Sequence, residues 1–208
     1  MNIKLYTDNI QEYLCADNIV DFNNPDVIKL VEKLSVNADD ETDYVKIAYE
    51  YVRDKIFHSA DINNDLITCA ASEVLNAGHG ICFAKSHLFA ALLRARGIPA
   101  GFCYQKLILD DETAPYLIYH GLNGVYIQKY NKWIRLDARG NKVGVDASFS
   151  VTEEHLAFPV RTELGECDIL IIYPRPDKNI TQALKTNKTR TQLWNNLPKE
   201  LAYENELN

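Results

Sequence analysis

Between residues 42 and 57 the apolar side chains Tyr44, Val45, Ile47, Ala48, Tyr51, Val52 and Ile56 recur close to every 3.6 positions. That is the period of a helix with one buried face, and it predicts a helix from Thr42 to Phe57. An earlier helix opens at Pro25, a residue suited to the first helical turn, and runs through Val27, Ile28, Leu30, Val31 and Leu34. Ala71 to Ala77 reads as a short helix. Phe83 to Arg96 is a long one, built from good helix formers such as Ala84, Leu88, Ala90, Ala91, Leu92, Leu93 and Ala95. Gly97 and Pro99 stop it.

After Gly97 the pattern changes to that of strands. Gly101 to Leu109 carries Phe102, Cys103, Tyr104, Leu107 and Ile108; Tyr116 to Gln128 and Lys132 to Asp137 are two further strands around a Lys129-Tyr130-Asn131 turn. Ile169 to Tyr173 is a short buried strand ended by Pro174 and Pro176. A strand-like piece opens the chain, Asp61 to Asp65 is a polar loop, and the polar tail from Asp177 predicts one or two surface helices around Leu184 and Trp194. Helices followed by consecutive strands imply an α+β architecture. No internal repeat or linker divides it, so 1–208 is expected to form one domain, a size that allows one sizeable core.

Composition narrows the function. The 208 residues are 47% apolar and 25% charged, with a formal net charge of −7 and no basic patch, which argues against a nucleic-acid partner. Five cysteines without regular spacing argue against a disulfide scaffold and for a reducing compartment. The stretch Met1 to Asp8 has no apolar h-region, and no apolar run is long enough to cross a bilayer, so a cytoplasmic protein with no membrane partner is expected.

The candidate chemistry starts at Gly78-His79-Gly80-Ile81-Cys82. The glycines allow a sharp turn that delivers Cys82 to the first turn of the long helix. The positive end of a helix dipole favours thiolate, the nucleophilic form. A thiolate nucleophile needs a base that also protonates the leaving amine, and histidine suits that role near neutrality. His120 lies inside the second strand of this run and Asp137 ends the third. Strand alternation puts Ile118, His120 and Leu122 on one face, and Trp133, Arg135 and Asp137 on one face of the neighbour. If the two faces coincide, carboxylate and imidazole meet and the acid fixes the tautomer of the base.

The order Cys82, His120, Asp137 resembles that of the transglutaminase-like superfamily of papain-like cysteine enzymes. The run from Gly80-Ile81-Cys82-Phe83-Ala84 to Gly97-Ile98-Pro99-Ala100 is similar to that family's nucleophile helix and its exit. Tyr119-His120 and Trp133-Ile134-Arg135-Leu136-Asp137 are similar to its histidine and aspartate motifs. The resemblance covers roughly Ala71 to Asn141. It implies a papain-like core with the nucleophile helix packed on an antiparallel sheet. It implies a cysteine-dependent enzyme acting on amide bonds, with catalytic Cys82, His120 and Asp137; no cofactor or metal motif is read in the sequence. A peptide or protein amide is the implied substrate, and hydrolysis through a thioester acyl-enzyme the implied reaction. The alternatives are glutamine transamidation and a non-catalytic binding module on the same fold. The chain departs from the family at Leu122 and Gly124, where an aromatic and an acidic residue are frequent.

Other residues have plainer readings. Cys15, Cys69, Cys103 and Cys167 lack a glycine turn and are read as structural. His87, five residues after Cys82, points roughly 140° round the helix and away from it. His79 is read as lining the site or capping the turn, His58 as meeting carbonyls at a helix end, and His155 as a surface residue. His79-x-x-Cys82 lacks a second ligand pair for zinc. Asp61-x-Asn63-x-Asp65 begins like a calcium loop, but Leu66 and Ser72 stand where Gly and Glu belong. An oxyanion site would use the Cys82 N–H, with Asn76 or Gln105 as side-chain candidates. Asp146 is the substitute carboxylate should Asp137 not serve.

Overall fold

The computed structural model describes residues 3–206. Its central element is α4 (Cys82–Arg94), in which every residue from Phe83 to Arg94 is buried. A helix buried on all sides lies inside, and three others pack around it: α1 (Pro25–Ser35), α2 (Glu41–Lys55) and α3 (Ala71–Ala77). Asn24 caps α1 by accepting from the Asp26 N–H at 2.9 Å, and Asp40 caps α2 by accepting from the Asp43 N–H at 2.8 Å. The buried cations of α4 are satisfied by carbonyls. Arg94 donates to Ala100, Cys15 and Pro174, and Lys85 to Ile56 and Arg139.

A five-stranded sheet covers α4. Its order is β1 (Lys4–Leu5), β7 (Cys167–Tyr173), β4 (Ala100–Asp110), β5 (Ala114–Ile127), β6 (Lys132–Leu136). β1 joins β7 in parallel, and all other neighbours are antiparallel. The β5–β6 turn passes through Asn131 at φ +49°, a left-handed conformation that asparagine tolerates. The expected α+β architecture, a helix packed on an antiparallel-rich sheet, is what forms.

Two local expectations are corrected, and one turn appears that the sequence pattern does not predict. The second helix ends at Lys55, not Phe57, because Ile56 is extended and Phe57–His58 forms β2 in a parallel ladder with β3 (His79–Gly80). The tail helices α5 (Lys178–Thr186) and α6 (Arg190–Asn195) are not surface decoration. Ile180, Leu184, Leu193 and the later Leu201 are buried in the main core. A 3₁₀ turn at Ile10–Leu14, invisible to helical periodicity, buries Tyr13 completely, and its hydroxyl donates to the Ile172 carbonyl at 3.0 Å.

Candidate active site

Cys82 is the first residue of α4. Gly78 closes α3 at φ +70°, a left-handed cap that bulkier side chains resist, and the short β3 then leads into the helix. The thiol is partly exposed.

His120 and Asp137 come together through the sheet register. Asn123 pairs with Leu136 and Gly124 with Arg135, so the residue after Leu136 falls beside Leu122. Asp137 is therefore the diagonal neighbour of His120 on a shared strand face, within reach of its side chain. His120 Nε2 and Asp137 Oδ2 are 2.8 Å apart, with both side chains almost wholly buried. Two backbone N–H groups also donate to the carboxylate, Ala157 to Oδ2 and Arg139 to Oδ1, both at 3.1 Å. With Nε2 occupied by Asp137, Nδ1 is the nitrogen left to serve Cys82, which is near enough to favour the imidazolium.

Electrostatics favour a charged pair. Burial alone disfavours imidazolium at His120, but the Asp137 carboxylate and then Cys82 outweigh it and raise the pKa to about 10. Burial likewise opposes ionisation of Asp137. His120 and the two N–H donors reverse that and hold the carboxyl below its ordinary value.

The approach of α4 to β5 depends on Gly121. A Cβ there would fall 2.5 Å from Cδ1 of Phe83, the residue after Cys82, so a side chain at 121 must displace the Phe83 ring or the helix start that carries it. Leu122 packs with Tyr13, Cys103 and Ile172 in a second apolar cluster, and Gly124 abuts Ile172. At both positions where the chain departs from the family, the space is taken by packing against β7.

Cys82 and His120 open on a cleft of about 710 Å³, also lined by His58, Arg139, Phe158 and Trp194. Phe158 stands edge-on to the His120 ring, with centroids 5.2 Å apart. On the rim Arg139 holds Asp61 through two bonds, at 2.5 and 2.8 Å, and Lys142 holds it through a third at 2.9 Å. The supposed calcium-loop carboxylate is thus an anchor for the segment after Asp137. Among the described residues no three His, Cys, Asp or Glu side chains converge as a metal site requires, and no helix is long and apolar enough to cross a membrane.

Several residues singled out in the sequence lie elsewhere. His79 is buried with Nδ1 3.0 Å from Ser59 Oγ, outside the cleft lining, so it ties β3 to the end of β2. His87 packs in the core with Nδ1 2.7 Å from the Cys69 carbonyl, and burial lowers its pKa to about 4. Burial pushes the Cys69 and Cys103 thiols up to about 12, while Cys15 and Cys167 are exposed. The Gln105 amide donates to Asp168 at 2.9 Å, and neither Gln105 nor Asn76 lines the cleft. Asp146 is bonded by Asn141, away from His120.

Two residues were misread or missed. His58 meets no carbonyl and instead lines the cleft. The carbonyls of Arg53 in α2 and of Ile56 just after it are taken by the Lys85 ammonium, which burial lowers to a pKa of about 7. A lysine three residues after Cys82, inside an otherwise apolar helix, was the available signal for that buried role.

Comparison with known proteins follows the same lines. The sequence profile of the transglutaminase-like superfamily core matches residues 28–138, more than half the chain, and begins well upstream of Ala71. No curated protein matches the sequence. Among solved structures, a "putative cysteine protease" from Cytophaga hutchinsonii is 20% identical, with a TM-score of 0.52 over 64% of this chain and 43% of its own. A structure described as a TGase is 19% identical, with a TM-score of 0.39 over 69% of this chain and 40% of its own. The chain thus spans less than half the length of each of these two solved structures.

Proposed function

The chain belongs to the transglutaminase-like superfamily, and from that premise we propose that it is a cysteine-dependent acyl-transfer enzyme that hydrolyses a peptide or amide bond. The observation that carries this reading is the His120 imidazole, bonded to Asp137 and lining the same cleft as Cys82. Asp137 fixes the proton on Nε2 and supports the imidazolium, and Nδ1 exchanges a proton with the thiol. The Cys82 sulfur attacks the carbonyl carbon and forms the C–S bond, while the C=O π pair moves to oxygen. When that pair returns, the C–N bond breaks and the amine leaves with the proton from His120. Water then gives a proton to His120 and attacks the thioester, and the acid and the Cys82 thiolate separate. An amine in place of that water would give transamidation by the same residues.

Alkylation at pH about 6, more than two units below the free-thiol pKa of about 8.5, tests the reading. Iodoacetamide is expected to modify Cys82 well ahead of the exposed Cys15 and Cys167, and His120→Ala is expected to remove that lead. Equal rates at the three cysteines would leave a binding module on this fold. Incubating a peptide library with and without a primary amine then separates hydrolysis from transamidation by product mass.

A further inference from the structure

His58 has its backbone pinned beside the turn that carries Cys82. It pairs with Gly80, two residues before Cys82, and the Ser59 N–H donates to the Gly80 carbonyl at 3.1 Å. Its side chain lines the cleft with Cys82 and His120. Yet His58 Nδ1 is buried and has no hydrogen-bond partner among the described residues. A buried, unpartnered N–H costs more than a bare ring lone pair, so the proton belongs on Nε2, the nitrogen left to meet the cleft.

The surroundings keep this ring neutral. Burial opposes its protonation first, and the cations Arg139 and Lys85, together with His120, add to that. Asp61 acts the other way but is already engaged by Arg139 and Lys142. His58 therefore presents one neutral donor and does not compete with His120 for the thiol proton. The cationic neighbourhood suits a position where negative charge develops on substrate.

Acyl transfer at Cys82 needs two donors on the carbonyl oxygen. The Cys82 N–H, in the first turn of α4, has no intrahelical acceptor and supplies one. Resting on the enzyme reading above, we propose that His58 Nε2–H is the second donor, hydrogen-bonding the substrate oxygen as the C–S bond forms. The proton stays on Nε2 throughout, and His120 alone supplies the proton that leaves with the amine.

Two reactions at one sulfur test this. Acylation by p-nitrophenyl acetate builds an oxyanion, whereas alkylation by iodoacetamide proceeds by displacement at a CH₂ and builds none. Both rates are read at Cys82 by peptide mass spectrometry in wild type, His58→Ala, His58→Gln and His120→Ala, with Cys82→Ala as the blank. His58→Ala is expected to slow acylation by about 10²-fold, the usual effect of losing one such donor, and to change alkylation by less than about 2-fold. His58→Gln, which keeps an N–H donor, is expected to recover part of the loss. His120→Ala slows both reactions. If His58→Ala leaves acylation unchanged, or slows both reactions equally, His58 is not an oxyanion donor even though the Cys82–His120 pair stands. If wild-type Cys82 reacts with neither reagent faster than Cys15 does, the enzyme reading itself fails and takes this proposal with it.

Discussion

At the scale of single residues, His120 takes its charge and its orientation from Asp137. Asp137→Asn keeps one oxygen for the Ala157 or Arg139 N–H groups but can hold the imidazole in the wrong tautomer. Turnover of any amide substrate should fall by about 10²–10⁴-fold, mainly in kcat, because the carboxylate supports charge that appears during the reaction. The same variant has a stability signature. The Asp137 pKa is depressed below 3.8, so its contribution is present above that value and lost as pH falls through the folded pKa. The His120 pKa is raised from 6.5 to about 10, so its contribution is complete below 6.5 and lost as pH rises through about 10. The Tm difference between wild type and Asp137→Asn should therefore be widest between pH 3.8 and 6.5 and shrink on both sides. A difference that grew steadily towards pH 10 would mean that the pair is not ionic.

At the scale of elements, α4 approaches β5 closely where Phe83 packs on Gly121, which has no side chain of its own. Gly121→Ala is expected to destabilise by about 1–3 kcal/mol in a denaturant titration through overpacking against Phe83, and to slow Cys82 alkylation. The two effects should be largely relieved in Gly121→Ala/Phe83→Leu, a coupling that a double-mutant cycle measures. Additive costs would show that the close approach does not position the thiol. Lys85 works at the same scale. By holding carbonyls from α2 and from Arg139, it fixes α4 against both the end of α2 and the chain just beyond Asp137.

At the scale of the molecule, the irregular chain between β6 and β7 completes the site. It brings the Ala157 N–H to Asp137 and the Phe158 ring to His120. Arg135 anchors that chain through Glu154, at 2.8 and 2.7 Å, and ties β6 to β7 through Asp168 at 2.7 Å. Its side chain is about 1% exposed, so Arg135→Met leaves two carboxylates without their cation and should cost about 3 kcal/mol of unfolding free energy. It should also weaken the Cys82–His120 coupling, seen as a smaller ratio of Cys82 to Cys15 alkylation. An unchanged ratio would show that the segment's contact with His120 is incidental to thiol reactivity.

Local pattern by itself determined the main helices, the long strands and the choice of candidate residues, because each rests on short-range rules. Periodicity set the α2 face, glycine and proline bounded α4, and alternation put His120 and Asp137 on equivalent strand positions. Tertiary structure decided what those rules do not encode. Only pairing fixed the register that makes the two strand faces coincide, and only packing showed that Gly121 lies against Phe83. His58 does not sit at a helix end because α2 stops two residues early and the chain turns into β2, where Lys85, distant in sequence, takes the Ile56 carbonyl. The tail helices looked solvated because their apolar residues are few, yet those few are spaced to reach a core assembled by the rest of the chain. Where a side chain's partner lies tens of residues away, burial and charge are properties of the assembled molecule, and the sequence marks only the residue that will feel them.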